Sequence, residues 1–229
     1  IIDKETCIPQ IQTIDDRKPV GICGSGILDA IAEMLKTGII NGRGKFNTES
    51  KCICKDDNGV FQYILDPVHY TGKHKEECNK ECNKKSESGK YAPDVAVSVC
   101  EQGKISITQK DVVEIQLAKG AIRTGINILL ESAGIDFKEI DKIIIAGAFG
   151  SYIDPKNTVD IGMFPEVDLK KIVQIGNAAA EGAKMVLISA SLREKAEKIA
   201  DMVKYLELTV FPTFTDNYVK SILFPGYLD

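Results

Sequence analysis

The stretch Lys142 to Pro155, KIIIAGAFGSYIDP, sets the tightest limits on what this chain can fold into. Its three consecutive isoleucines read as a buried strand, and the small-residue turn Ala146-Gly147-Ala148-Phe149-Gly150 lets backbone approach a ligand closely. Asp154-Pro155 then supplies a helix N-cap and a proline at the first helical position. A strand that empties into a glycine turn ahead of a new helix belongs in an α/β sheet, and such sheets bind ligands at that end. Taken alone, the turn serves equally well as a plain strand-to-helix connection. The remainder of the chain has to decide.

Charge and apolar content exclude several functions. Acids and bases are interspersed to a net −4, without the basic stripe that grips nucleic acid. No apolar run approaches the ~20 residues of a spanning helix. The opening IIDKETCIPQ has no basic region followed by a hydrophobic segment, so no membrane and no secretion are indicated, and a cytoplasmic protein is expected. Hydrophobic residues make up 44% of the 229, enough for a core. The seven cysteines read as reduced thiols or metal ligands, because a chain of this size needs no disulfide staples. A start on Ile-Ile-Asp, without methionine, suggests a piece of a longer polypeptide.

Residues 1–20 read as one or two strands with a turn at Asp15-Asp16. A second glycine loop, Gly21-Ile22-Cys23-Gly24-Ser25-Gly26, leads into ILDAIAEMLKTG, a helix with Ile27, Ile31, Met34 and Leu35 on one face and Gly38 at its end. Free amides at that helix start favour an anion, but GxxGxG is not the dinucleotide fingerprint. Residues 39–107 turn polar, and the charged centre HKEECNKECNKKSESGK reads as an exposed insertion or arm within 45–106. Cys52, Cys54, Cys78 and Cys82 can together supply four thiolates to zinc, although neither CxC nor CxxxC is the common spacing. Free thiols on a variable loop are the alternative.

Thr108 to Ala133 is the strongest helix, with Thr108 as N-cap, Asp111 three residues on and Gly134 at the exit. Ile115, Ala118, Ile122, Ile126 and Leu129 form an apolar stripe expected to face the core, and Gln116, Lys119, Arg123 and Asn127 form a polar stripe beside it that reads, taken alone, as the solvated side of the helix. Beyond Pro155 the pattern predicts a short helix to Met163, a strand at Lys171–Ile175 and a helix capped by Asn177. A helix at Ser191–Val203, a strand at Glu207–Val210 and a helix at Phe214–Leu223 complete an α/β chain.

Both histidines, His69 and His74, lie in the polar stretch, so no serine or cysteine nucleophile in the α/β part has an evident imidazole base. Cys23 reads as a small core-facing residue rather than a reactive thiol. The sequence contains no GxxxxGK[ST] phosphate loop, and Asp160-Ile161-Gly162 reads as a helix end.

The pieces GICGSG, ITQKDVVEIQLAKGAIRTGI, IIIAGAFGSYIDP and IGNAAAEGA occur in one order. Together they closely resemble the carboxyl-terminal part of the reductive activators of corrinoid-dependent proteins, within the acetate kinase, sugar kinase, heat-shock chaperone and actin superfamily. The resemblance leaves out residues 45–106. It implies the second, ribonuclease-H-like lobe of an actin-like ATPase, in a protein that uses ATP and magnesium and an upstream [2Fe-2S] cluster to reduce cob(II)alamin on a corrinoid protein partner. By position it assigns Gly147, Ala148 and Gly150 to an adenosine loop, with Gln116, Lys119 and Arg123 approaching ribose and adenine. Gly24 and Ser25 would lie near the phosphates, Asn177 at the base pocket, and Phe149 and Tyr152 beside the adenine. The superfamily's two aspartate-glycine phosphate loops and a ferredoxin cysteine cluster are missing from this sequence, so the chain alone is not expected to hydrolyse ATP. A non-catalytic partner- or metal-binding module, and an activator of a 2-hydroxyacyl-CoA dehydratase, are the alternatives; a homodimer is one option for its assembly.

Overall fold

The computed structural model describes residues 1–56, 58–66, 105–147 and 149–226, with Phe149 by its backbone alone. The chain divides into two units: one comprises Ile1–Cys23, Ala30–Gln116 and Gly226–Asp229, the other Gly24–Asp29 and Leu117–Pro225. Helices α1 (Gly24–Thr37) and α2 (Gln109–Ala133) contribute residues to both. No helix among the described residues is long and apolar enough to cross a membrane.

In the first unit, strands β1 (Cys54–Lys55), β2 (Phe61–Ile64) and β3 (Ser106–Thr108) form an antiparallel sheet in that order, with Cys54 opposite Gln62 and Tyr63 opposite Ile107. Tyr63, Ile64, Leu65 and Ile107 are buried, as are Ile31, Ala32 and Met34 of α1, Phe46, and Val112 of α2. This corrects the reading of 45–106 as an exposed insertion: its two ends are core and sheet. Its charged centre, with His69, His74, Cys78, Cys82 and Cys100, lies outside the described residues. On α1 the buried face also shifts, because Leu28 is buried where Ile27 and Leu35 are half-buried.

The amino-terminal segment forms no strand. It makes an isolated bridge between Ile2 and Pro9 and a 3-10 turn at Ile14–Asp16 in which Asp15 and Asp16 are left-handed, at φ 56° and 52°. Cys7 is bonded to Cys52 in a disulfide, and the buried Tyr63 hydroxyl donates to the Cys7 carbonyl at 2.9 Å. Cys54 is disulfide-bonded as well. The expectation of reduced thiols therefore fails at these three positions, and Cys52 and Cys54 lack the thiolates a zinc site needs. Cys23 lies outside the disulfides and is exposed, not core-facing.

Helix α2 starts on a reciprocal cap: the Thr108 amide donates to the Asp111 carboxylate at 2.8 Å and the Asp111 amide to the Thr108 hydroxyl at 3.3 Å. It ends at Gly134, φ 66°. Its buried face is the reverse of the expected one. Gln116, Lys119, Thr124 and Ile128 are buried, whereas Ile122 and Leu129 are 46% and 54% exposed. Gly120 on the buried side permits close approach, since a Cβ there would lie 3.2 Å from the Ile222 backbone nitrogen. Gln116 and Lys119 are accommodated on that side because they donate to backbone carbonyls, whereas the buried Thr124 hydroxyl has no hydrogen-bond partner among the described residues.

The second unit holds a parallel pair, β4 (Ile143–Ile145) and β5 (Ile172–Gln174), with Ile143 opposite Ile172 and Ile145 opposite Gln174. The strand β4 is not fully buried as expected; Ile144 is 59% exposed. Helix α3 (Pro155–Asp160) follows on Asp154, whose carboxylate accepts from the Lys156 and Asn157 amides. Asn177 caps α4 (Ala178–Ile188), Ser189 caps α5 (Ala190–Met202), and α6 is Phe214–Ile222. The strand expected at Glu207–Val210 is instead a 3-10 turn, Leu208–Val210, because the Glu207 carboxylate accepts from Thr209 and closes it.

Candidate functional site

At the carboxyl end of β4 the chain enters the glycine turn. The Gly147 amide donates to the Gly176 carbonyl at 2.7 Å, which seats the turn beside the residue preceding Asn177. At φ 112° Gly147 occupies backbone space closed to side chains, and nothing lies within 4 Å of where its Cβ would be. That position therefore faces open space. A Cβ at Gly150 would collide with Ile145 Cγ2, so the turn also folds tightly onto its own strand. The Ser151 hydroxyl donates to the Gly147 carbonyl at 3.4 Å. From the end of β5, Gln174 Nε2 donates to the carbonyls of Gly150 and Ile153 at 2.6 and 2.7 Å. Tyr152 and Asn177 are exposed, and Ala148 lies outside the described residues.

A second cluster in the same unit surrounds Lys119, which is 1% exposed. Its ammonium donates to the Leu223 carbonyl at the exit of α6 and sits 5.1 Å from the Phe224 ring centroid. A Cβ on Gly162 would lie 3.6 Å from Nζ, so the turn after α3 also closes on it. Burial, and then the neighbouring Arg123 charge, lower the Lys119 pKa to about 8. Burial also lowers that of Arg123, whose Nε donates to Asn127 Oδ1 at 3.1 Å. Asn127 in turn donates to Asn217 of α6 at 3.3 Å. Neither cation is paired with a carboxylate among the described residues. A buried cation beside a half-buried one, without a counter-ion among the described residues, favours an anion.

The residues nominated from the sequence thus fall into separate groups. Gly147 and Gly150 adjoin Gly176 and Asn177, and Lys119 and Arg123 pack against α6; no hydrogen bond among the described residues joins the two clusters. Gly24 and Ser25 open α1, and in this unit Asp29 of α1 accepts from the buried Asn157 of α3 at 2.7 Å. Gln116 belongs to the first unit. Its Nε2 donates to the Arg43 carbonyl at 3.2 Å, at a groove of about 400 Å³ shared with Lys45, Phe46, Phe61 and Gln109. Sequence reasoning missed Gln174. Its one signal was a polar residue ending a short β-branched run.

A parallel strand that opens into a glycine turn, with a long capped helix before it and a capped small-residue helix after the next strand, is an α/β arrangement, and comparison with known families identifies it as an actin-like ATPase (ASKHA) domain. The family model described as the C-terminal domain of RACo, the ASKHA domain, matches residues 1–76 and 68–228, and the chain belongs to this family. The match includes the segment that the sequence resemblance left out. The chain is 35% identical over 207 residues to the corrinoid activation enzyme RamQ of Eubacterium limosum, covering 90% of this chain and 31% of that protein. It is 32% identical over 120 residues to the [Co(II) methylated amine-specific corrinoid protein] reductase of Methanosarcina barkeri, covering 52% and 22% respectively. A solved structure titled reductive activator for corrinoid, iron-sulfur protein superposes with a TM-score of 0.76 at 29% identity, over 96% of this chain and 31% of that one. The chain therefore spans about a third or less of these relatives' length.

Proposed function

We propose that this chain is the nucleotide-binding part of an ATP-dependent activator that returns cob(II)alamin on a corrinoid protein to cob(I)alamin by a one-electron reduction. The carrying observation is the turn at Gly147, seated on Gly176 and Gln174 with its glycine facing open space, in a chain of the ASKHA family. Gly147, Ala148 and Gly150 form the adenosine loop, with Asn177, Phe149 and Tyr152 at its rim. Lys119 and Arg123 supply positive charge, and Gly24 and Ser25 present a helix start to the phosphates. The relatives' names support a corrinoid protein as partner and favour this reading over a dehydratase activator.

The described residues do not fit the metal groups of such a protein. No group of three or more His, Cys, Asp or Glu is placed to hold an ion, and Cys7, Cys52 and Cys54 are disulfide-bonded. Magnesium and the [2Fe-2S] cluster belong, in this proposal, to other parts of a longer polypeptide, and no step is routed through them here. Calorimetry of the full-length protein with a non-hydrolysable ATP analogue tests the reading. Gly147→Val places a β-branched residue at a φ it cannot adopt, and Lys119→Ala removes a buried cation. Each is expected to weaken binding about tenfold or more, on the order of 1.4 kcal/mol. Unchanged affinity in both, with folded variants, sinks the site assignment.

A further inference from the structure

We propose that Gln174 is the positioning residue of the nucleotide loop, an inference that rests on the reading above. One planar carboxamide commits both hydrogens of Nε2, to Gly150 O at 2.6 Å and Ile153 O at 2.7 Å. One acceptor lies within the 3-10 turn Phe149–Ser151 and the other two residues beyond its end, so a single side chain fixes one peptide plane in the turn and one just past it. A trans peptide carries its N–H opposite its C=O. Holding the Gly150 carbonyl therefore also sets the direction of the following amide.

The residue type suits this task. Glutamine offers two N–H donors on one neutral group; glutamate at neutral pH offers none, asparagine is a methylene shorter, and lysine brings a charge. Packing is not the reason for its presence, because Gln174 is exposed. The loop's other ties are few: the Gly147 amide to Gly176, and the long 3.4 Å bond from Ser151. Gly147 itself has open space around it and gains no packing there. Without Gln174 the segment from Gly150 to Ile153 loses both of its bonds to β5, and the open glycine loses its fixed orientation toward the ligand.

The test uses the full-length protein with Gln174→Leu and Gln174→Glu, read by amide hydrogen exchange across residues 147–154 and by affinity for a non-hydrolysable ATP analogue between pH 5 and 8. Both variants are expected to exchange faster in that segment alone and to bind about tenfold more weakly or worse at pH 7.5. Gln174→Glu is expected to recover part of its affinity as pH falls and its carboxyl gains a hydrogen to donate, while Gln174→Leu does not recover. Wild-type exchange in the segment, or a loss in Gln174→Glu that is the same at every pH, overturns the inference. A wild-type protein that binds no analogue, in which Gln174→Leu still loosens the loop, overturns the nucleotide reading instead.

Discussion

Lys119 combines a position no solvated lysine occupies with contacts that only partly compensate it. The ammonium lies at the carbonyl end of α6, where helix carbonyls concentrate negative potential, and over the face of Phe224. Burial nevertheless lowers its pKa from 10.5 to about 8, with Arg123 adding repulsion. Between these two values the unfolded chain binds more protons than the folded one, so stability rises with pH across that window. Below pH 8 the folded state carries the full cost of a buried charge, on the order of 3 kcal/mol for such a shift. Lys119→Met carries no such cost. The expected outcome is that wild type gains on this variant in urea-unfolding stability from about pH 8 to pH 10.5. A difference that stays constant with pH means Lys119 does not titrate there. An anion seated beside Lys119 and Arg123 would raise the same pKa, which links this residue to the proposed nucleotide.

At the scale of elements, the capped helix starts carry the architecture into the site. Asp154 ends the glycine turn and caps α3 through Lys156 at 2.7 Å and Asn157 at 3.4 Å. Asp154→Ala is expected to cost about 1 kcal/mol, seen as a lower urea midpoint with unchanged slope. This start was legible in the sequence, as were the Thr108–Asp111 box and the Asn177 cap, because capping depends on residues within one turn of each other. The glycine turn at Gly147 was legible for the same reason. What was not legible depends on distant partners. The periodicity of α2 showed two stripes but not which one is covered, and the small Gly120 and the exit of α6 decided in favour of the polar one. Cys7 and Cys52 are 45 residues apart in sequence, and nothing local pairs them. Gln174 acts on carbonyls 21 and 24 residues earlier, so its neighbours in sequence give no hint of the loop it holds.

For the molecule as a whole, the second unit leaves several large apolar side chains in solvent. Ile122 and Leu129 on α2, Ile144 on β4, Leu187 and Ile188 on α4 and Met202 on α5 are all exposed. In relatives of which this chain covers 31% or less, further polypeptide is available to cover such side chains. Phosphoryl transfer needs a cation and a positioned nucleophile in addition to a seat for the nucleotide. The sequence has neither aspartate-glycine phosphate loop, and the described residues assemble no cluster to hold the cation. The 229-residue chain is therefore expected to release phosphate from ATP no faster than buffer, while retaining weak binding of an ATP analogue that Gly147→Val abolishes. Phosphate release by the isolated chain at roughly 1 s⁻¹ or more, the range of complete phosphotransfer enzymes, would show that the hydrolytic machinery lies within it and would overturn the assignment of this chain to the nucleotide-binding part alone.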